Sequence, residues 1–380
     1  MALNQVGLER LNTATTKKIG LSKNLMINGA CLIAQRGTSA TTEGYLVDRM
    51  EVDFSGTDEA PTISQTDVAS GTTPYTSGFR KAFKITNGNQ TSGADATDRL
   101  QVFLKQEAQN IANSGWNFIS SSSYVTLSFW IKSSVAQNFF GFLRSRDGTQ
   151  QRYPFETGSL SADTWTKVTK TIPGNSNITI NNDNGEGLQV TVMAFMGTDY
   201  TDSGVSLNAW GAYSGSTQTP DHTSTWYTTN NATLEMTGFQ LEVGSVATDF
   251  EHISFADELR RCQRYFHKSG DVGTSNEWFA GVATHANHGA MVAKCLDGDQ
   301  DRAFNESIFP VHMRANPTLT FYPARTGLAQ TAGNFSKYNG DVMCGITSQP
   351  SASPFRMVGY FQSDTTHSAF TFQYTADAEL

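Results

Sequence analysis

The sequence predicts an all-β protein: an extended N-terminal arm, a β-sandwich, one short linking helix and a second, smaller β-sandwich domain. Three observations point there. Only 16% of the 380 residues are charged and 11% are aromatic, while Gly, Ser, Thr and Asn abound, a mix that suits short strands joined by many turns. The run Tyr124–Ser133 (YVTLSFWIKS) alternates strictly, with Val125, Leu127, Phe129 and Ile131 on one face and Tyr124, Thr126, Ser128, Trp130 and Lys132 on the other. A single convincing helical pattern exists, near residues 254–268, and it separates two strand-rich regions.

The length leaves room for about two or three domains. A net charge of −8 with scattered acids argues against a nucleic-acid-binding face. No apolar run approaches membrane-spanning length and the N-terminus has no hydrophobic signal core, so neither membrane insertion nor signal-peptide export is expected. Cys31, Cys262, Cys295 and Cys344 are widely spaced and form no CxxC pair, which predicts buried free thiols in a reducing compartment.

In chain order, residues 1–24 stand apart as an arm. Arg10, Lys17, Lys18 and Lys23 against Glu9 make the segment basic on an otherwise acidic chain, and Leu3, Val6, Leu8 and Leu11 add apolar side chains. The segment is too short to fold alone, so it reads as an arm that orders on a larger partner. Residues 25–253 carry the first sandwich. Asn24–Gly37 opens it, and 38–120 is turn-rich. Residues 99–111 fit a helix or a strand; the alternation of Leu100, Val102 and Leu104 favours a strand pairing with Phe83-Lys-Ile85. Strands then follow at 139–143, 165–172 and 188–195, and Leu234–Val243 closes the domain with Phe239, Leu241 and Val243 on one side.

Ser254 followed by Asp257 resembles a helix-capping start, and Phe255, Leu259, Cys262 and Phe266 make one helical face apolar. Residues 269–380 again read as β, with candidate strands at Trp278–Val282, Gly289–Cys295, Ser307–Met313, Thr318–Tyr322, Phe355–Phe361 and Ala369–Tyr374.

Two resemblances add to this reading. The NLxxNGxx start at Asn24 resembles the first strand of jelly-roll carbohydrate-binding modules, with Ala30 and Cys31 where an acidic or aromatic residue usually follows. The ordered set MALNQxGLERL, NGACLIAQRGT, LSFWIKSS, WTKVT, GLQV, LEMTGFQLEVG and ATDFEHISFADELRRCQRYF is similar to a jelly-roll module of tail-fibre-type and other virion surface proteins of tailed phages, marine ones especially. It covers residues 1–270, with shorter matches at Val311–Tyr322 and Tyr374–Leu380. The resemblance implies a non-enzymatic virion structural protein of fibre or surface-decoration type. It would be assembled in the host cytoplasm, attached to other virion proteins by its arm (Leu3, Val6, Leu8, Arg10, Leu11, Lys17, Lys18) and homotrimeric. The alternative is a carbohydrate-active enzyme such as a depolymerase, or its soluble sugar-binding module.

Chemical motifs are sparse, and neither a metal nor any other cofactor is expected. His285 and His288 with His267 read as ordinary histidines, and Asp297–Asp301 with Glu306 as an acidic turn, because Arg302 and Ile308 stand where a calcium loop needs glycine and a bidentate acid. Asp199/Asp202 and Asp183/Glu186 lie in turn-rich stretches where acids ordinarily solvate loops. The functional lead is the loop 207–227, which places Trp210, Tyr213, Trp226 and Tyr227 among small polar residues. An aromatic face stacks on a sugar's C–H face while nearby amides and hydroxyls bond its hydroxyls, so host polysaccharide is the expected ligand. The same rings would also suit a sandwich core or a subunit interface.

Overall fold

A computed structural model describes residues 23–270, 291–295, 302–323, 334–337, 340–343, 346–349, 355–360 and 369–380. The arm up to residue 22, the expected strand at Trp278–Val282, His285, His288 and Asp297–Asp301 lie outside the described residues. The chain divides into two compact units between Ser254 and Phe255.

The first unit is a sandwich of two antiparallel sheets. Its strands are β1 (Ser39–Ala40), β2 (Gly44–Tyr45), β3 (Glu51–Ser55), β4 (Thr62–Asp67), β5 (Lys81–Thr86), β6 (Arg99–Glu107), β7 (Tyr124–Ser133), β8 (Asn138–Ser145), β9 (Gln151–Ser159), β10 (Thr166–Pro173), β11 (Glu186–Met196), β12 (Gly211–Ala212) and β13 (Thr233–Val243). Six strands form one sheet in the order β1-β4-β5-β13-β7-β10, and seven form the other in the order β12-β9-β8-β11-β6-β3-β2. Hairpin pairs β2–β3, β4–β5 and β8–β9 alternate with neighbours far apart in sequence, such as β5–β13, β13–β7 and β11–β6, as in a jelly roll. Two short helices, α1 (Thr73–Thr76) and α2 (Ala108–Ala112), sit in the connections.

The alternation read in β7 holds: Val125, Leu127, Phe129 and Ile131 are fully buried in the core between the sheets, while Trp130 is half-buried on the outer side. From the opposite sheet Leu100, Val102, Leu104, Leu188, Val190 and Val192 join the same core. The expected pairing of 99–107 with Phe83–Ile85 is corrected. Strand β6 pairs with β3 and β11, whereas β5 lies between β4 and β13. The two apolar stripes belong to opposite sheets and meet through side chains in the core, so they share no hydrogen-bonded edge.

The opening Asn24–Gly37 is turns, not a first strand. Its two asparagines do the bonding a strand would otherwise do. Asn24 donates through Nδ2 to the Phe239 carbonyl at 3.0 Å and accepts from the Leu241 amide at 3.1 Å. Asn28, fully buried and at φ 59°, donates to the carbonyls of Ile33 and Asp48, both at 2.8 Å. Directly after Asn28, Gly29 must be glycine, since any Cβ there would run into the Phe239 carbonyl oxygen. Cys31 and Cys262 are buried, as expected.

The second unit begins with α3 (Phe255–Gln263) and β14 (Phe266–Lys268), and continues through β15 (Met291–Cys295), β16 (Arg302–Ser307), β17 (Thr318–Pro323), β18 (Asn334–Lys337), β19 (Gly340–Met343), β20 (Ile346–Gln349), β21 (Phe355–Tyr360) and β22 (Ala369–Asp377). These strands build one branched antiparallel sheet around β22, which pairs with β14, β15, β17 and β18. Two expectations change here. The helix ends at Gln263, so Phe266 falls in a strand, and Phe255 is 61% exposed; Glu258 and Cys262 are the buried helix residues. The strand expected at Ser307–Met313 lies earlier, at Arg302–Ser307, and residues 308–313 turn. Pro310 interrupts that stretch, having no amide to give a ladder.

Candidate functional site

Between β11 and β13 the chain makes a long excursion across the edge of the seven-stranded sheet, and its first half builds a groove. Gly211 and Ala212 add a two-residue strand to β9, registered on Arg152 and Gln151. Asn208, at φ 57°, turns the chain and donates its amide to the Pro154 carbonyl at 2.8 Å. Asp202 closes a turn by accepting the Gly204 amide at 2.7 Å. The resulting cleft holds about 410 Å³ and is lined by Arg152, Asp202, Val205, Ser206, Trp210 and Thr217, among others. That volume is within the usual range for small-ligand sites, about 300–1,000 Å³.

Trp210 is half-buried and fixed at both ends. Its ring packs against Tyr153 at 5.4 Å, and its indole N–H donates to the Pro173 carbonyl at 2.6 Å. The remaining ring surface faces the cleft. Tyr213, also half-buried, lies over the Arg144 guanidinium, 3.2 Å from ring centre to carbon, with Phe142 at 6.1 Å behind it.

Two arginines define the electrostatics. Arg144 in β8 and Arg152 in β9 face each other directly across the strand pair. Arg152 donates to the Thr217 carbonyl, at 2.9 Å through Nε, and Arg144 donates to Gln150 Oε1 at 2.9 Å. Neither forms a salt bridge among the described residues, although the Glu186 carboxylate acts on Arg144 through space. Like charges directly opposite each other in a sheet are unfavourable, and burial makes them more so. Burial pulls the Arg152 guanidinium below its ordinary pKa and, with Arg146 nearby adding to it, brings Arg144 down to about 10. Gly211 carries no side chain over Arg152, where a Cβ would reach Nη1 at 3.4 Å.

Of the four aromatics singled out in the loop, Trp210 lines the cleft and Tyr213 lies half-buried on Arg144. Trp226 and Tyr227 are 0% exposed and are core residues, which corrects their reading as glycan contacts. The Trp226 indole donates to the Thr233 carbonyl at 3.0 Å, and Phe139 meets its ring edge-on at 6.4 Å. Tyr227 stacks on Phe195 at 4.4 Å. The second half of the loop turns inward to enter β13, and the core is the cheapest place for large rings that need only one polar partner.

The sequence reading passed over Arg144 and Arg152. The signal was there: each lies four residues from Gly148, so a hairpin turning at Gly148 sets them opposite each other. Three of the acids weighed for catalysis, Asp183, Asp202 and Glu186, make local structural contacts. Asp183 accepts the Gly185 amide at 2.9 Å, as Asp202 does with Gly204, and Glu186 pairs with Arg146 at 2.9 Å. Among the described residues no group of three or more His, Cys, Asp and Glu side chains is arranged to hold a metal ion, and no helix is long and apolar enough to cross a membrane. Burial lowers the His267 ring pKa to about 4.

No protein-family model and no curated protein sequence matches the chain. Among solved structures, the enzymatically active domain of bacteriophage CBA120 tailspike protein 4 is similar at 8% identity over 58% of this chain, with a TM-score of 0.30; the match spans 22% of that domain's chain. The N-terminal cellulose-binding domain of Cellulomonas fimi β-1,4-glucanase C is similar at 11% identity over 56% of this chain and 97% of its own, with a TM-score of 0.27. A family 11 carbohydrate-binding module of Clostridium thermocellum, determined with a mixed-linked tetrasaccharide, gives 12% identity over 56% and 97%, with a TM-score of 0.25.

Proposed function

We propose that this chain is a non-enzymatic surface protein of a phage virion, whose first unit binds acidic polysaccharide in the Trp210 groove. One observation carries the binding reading: a half-exposed indole borders a cleft whose buried Arg152, set across the strand pair from Arg144, forms no salt bridge among the described residues. A sugar ring bearing a carboxylate or sulfate stacks on Trp210 and places its charge on Arg152, while Ser206 and Asp202 meet its hydroxyls. The virion setting is supported by the ordered motifs along residues 1–270 and by the basic, apolar arm, which would hold the protein to other virion proteins as a fibre or surface decoration. A homotrimer presenting several such grooves would gain avidity for a repetitive polymer.

The test is retention of the full chain on immobilised alginate and on neutral dextran. Retention on alginate that weakens with added salt, and that falls about ten-fold or more in Arg152→Met, is the expected result, a charge-assisted bond being worth about 1.5–3 kcal/mol. Equal retention on both polymers would overturn the acidic preference. Release of new reducing ends from either polymer would overturn the non-enzymatic reading.

A further inference from the structure

We propose that the outer face of the other, six-stranded sheet carries a second binding cleft, sized for a single neutral pyranose ring. The inference goes beyond the groove at Trp210, which lies on the opposite sheet and shares no residue with it.

The cleft is built from three separate parts of the first unit. Its floor is Ser128 and Trp130 of β7, Lys167 of β10 and Gly238 of β13. One wall is Thr76, Ser77 and Phe79, from α1 and the turn after it; the other is Asp249, Phe250 and His252. The volume is about 310 Å³, at the lower end of the usual range for small-ligand sites and room enough for one ring. It is also more enclosed than the groove at Trp210, as a pocket for a chain end should be.

The backbone is shaped to make this space. The ladder between β13 and β7 slips between Thr237 and Gln240, and Gly238 sits in that bulge at φ +70°. A Cβ there would come within 2.6 Å of the Phe79 ring. Gly78, at φ +97°, likewise leaves room for the His252 ring, whose Nε2 lies 2.9 Å from the Ser77 carbonyl oxygen. Phe79, Phe250 and His252 pack mutually at 4.8–5.2 Å, so the walls are held by each other and not by a ligand.

The lining has the chemistry of a sugar site. Trp130 and Phe250, both half-buried, offer apolar ring surface. Among the described residues, the Asp249 carboxylate and the Lys167 ammonium make no ion pair, and the Trp130 indole N–H donates no hydrogen bond. A carboxylate accepts two adjacent hydroxyls of a pyranose, and an ammonium and an indole N–H donate to its oxygens, while the ring's C–H face covers the aromatics. With one positive and one negative group at the rim, nothing selects a charged sugar.

The experiment is a titration of the full chain with methyl glycosides of glucose, galactose, mannose and N-acetylglucosamine, read by intrinsic tryptophan fluorescence and by calorimetry. At least one glycoside should bind and shift the fluorescence. Trp130→Phe, which keeps a ring in place, should silence that shift while calorimetric binding survives in weakened form. Asp249→Asn and Lys167→Gln change exposed side chains and should fold as the parent does, and each should weaken binding about ten-fold. Binding by none of the four glycosides, or unchanged affinity in both charge variants, overturns the cleft. Retention on alginate tested separately shows whether the Trp210 groove stands or falls on its own.

Discussion

Trp226 and Trp210 are sixteen residues apart in one polar loop and should behave as different classes of residue. Trp226 is fully enclosed, so Trp226→Ala should cost about 3–5 kcal/mol and lower the melting temperature sharply. Trp210 lies at the core's margin and lines the groove; Trp210→Ala should lower melting less and weaken polysaccharide retention several-fold, on the scale of about 1 kcal/mol per stacked ring. Measuring melting and retention on both variants decides the matter, and equal melting losses would make Trp210 structural. His222 is the residue that should sense pH. Its ring lies between Phe140 at 5.0 Å and Phe195 at 6.3 Å, with Thr219 Oγ1 at 3.0 Å, and burial lowers its pKa to about 3. In the unfolded chain the ring takes a proton below about pH 6.5, whereas the folded state refuses it until about pH 3. Stability therefore falls as pH drops through that window and levels off below it. His222→Gln should melt with a shallower pH dependence between neutral pH and about pH 4; a profile parallel to the parent's would show that His222 is already solvated in the folded state.

At the scale of elements, two glycines set what the sheets can do. Gly141 in β8 lies under the Phe155 ring and against the Thr191 carbonyl, and this lets the strand pack flush in the seven-stranded sheet. Gly238 matters more for function, because its bulge shapes the floor of the second cleft. Gly238→Ala would combine a left-handed backbone with a methyl group driven into Phe79. A destabilisation of about 2–6 kcal/mol is expected, the sum of the strain and overpacking scales. Thermal unfolding of the variant measures it, and a loss below about 0.5 kcal/mol, the usual scale of an innocuous surface change, would mean that the bulge relaxes freely.

At the scale of the whole molecule, the first unit ties its own two ends together. The Glu251 carboxylate accepts the Lys23 amide at 3.0 Å and the Asn24 amide at 2.7 Å, and the Lys23 ammonium donates to the Asp249 carbonyl at 2.6 Å. Every partner in that clasp lies at or after Lys23. Deleting residues 1–20 should leave the melting temperature unchanged while abolishing incorporation into particles. Normal incorporation of the truncated protein would show that the anchor lies elsewhere. Light scattering on the intact chain should give a trimer, and a monomer at micromolar concentration would remove the avidity argument.

The sequence alone determined the all-β class, the strands at 124–133, 188–195 and 234–243 and a helix beginning at Phe255, because period-two and period-3.6 patterns are local and each is enforced by burying one face. It also placed an aromatic on the outer phase of β7, at Trp130, without revealing that anything covered it. Tertiary structure decided the rest. Which half of the 207–227 loop lies outside and which enters the core depends on where β13 begins, and both halves look equally polar in sequence. The pairing of β6 with β3 and β11 depends on which sheet each strand joins, and alternation is silent about partners. The facing of Arg144 and Arg152 needs the hairpin register. The second cleft needs residues 76–79, 128–130, 167, 238 and 249–252 to converge, and only the folded chain brings positions so far apart in sequence within reach of one ligand.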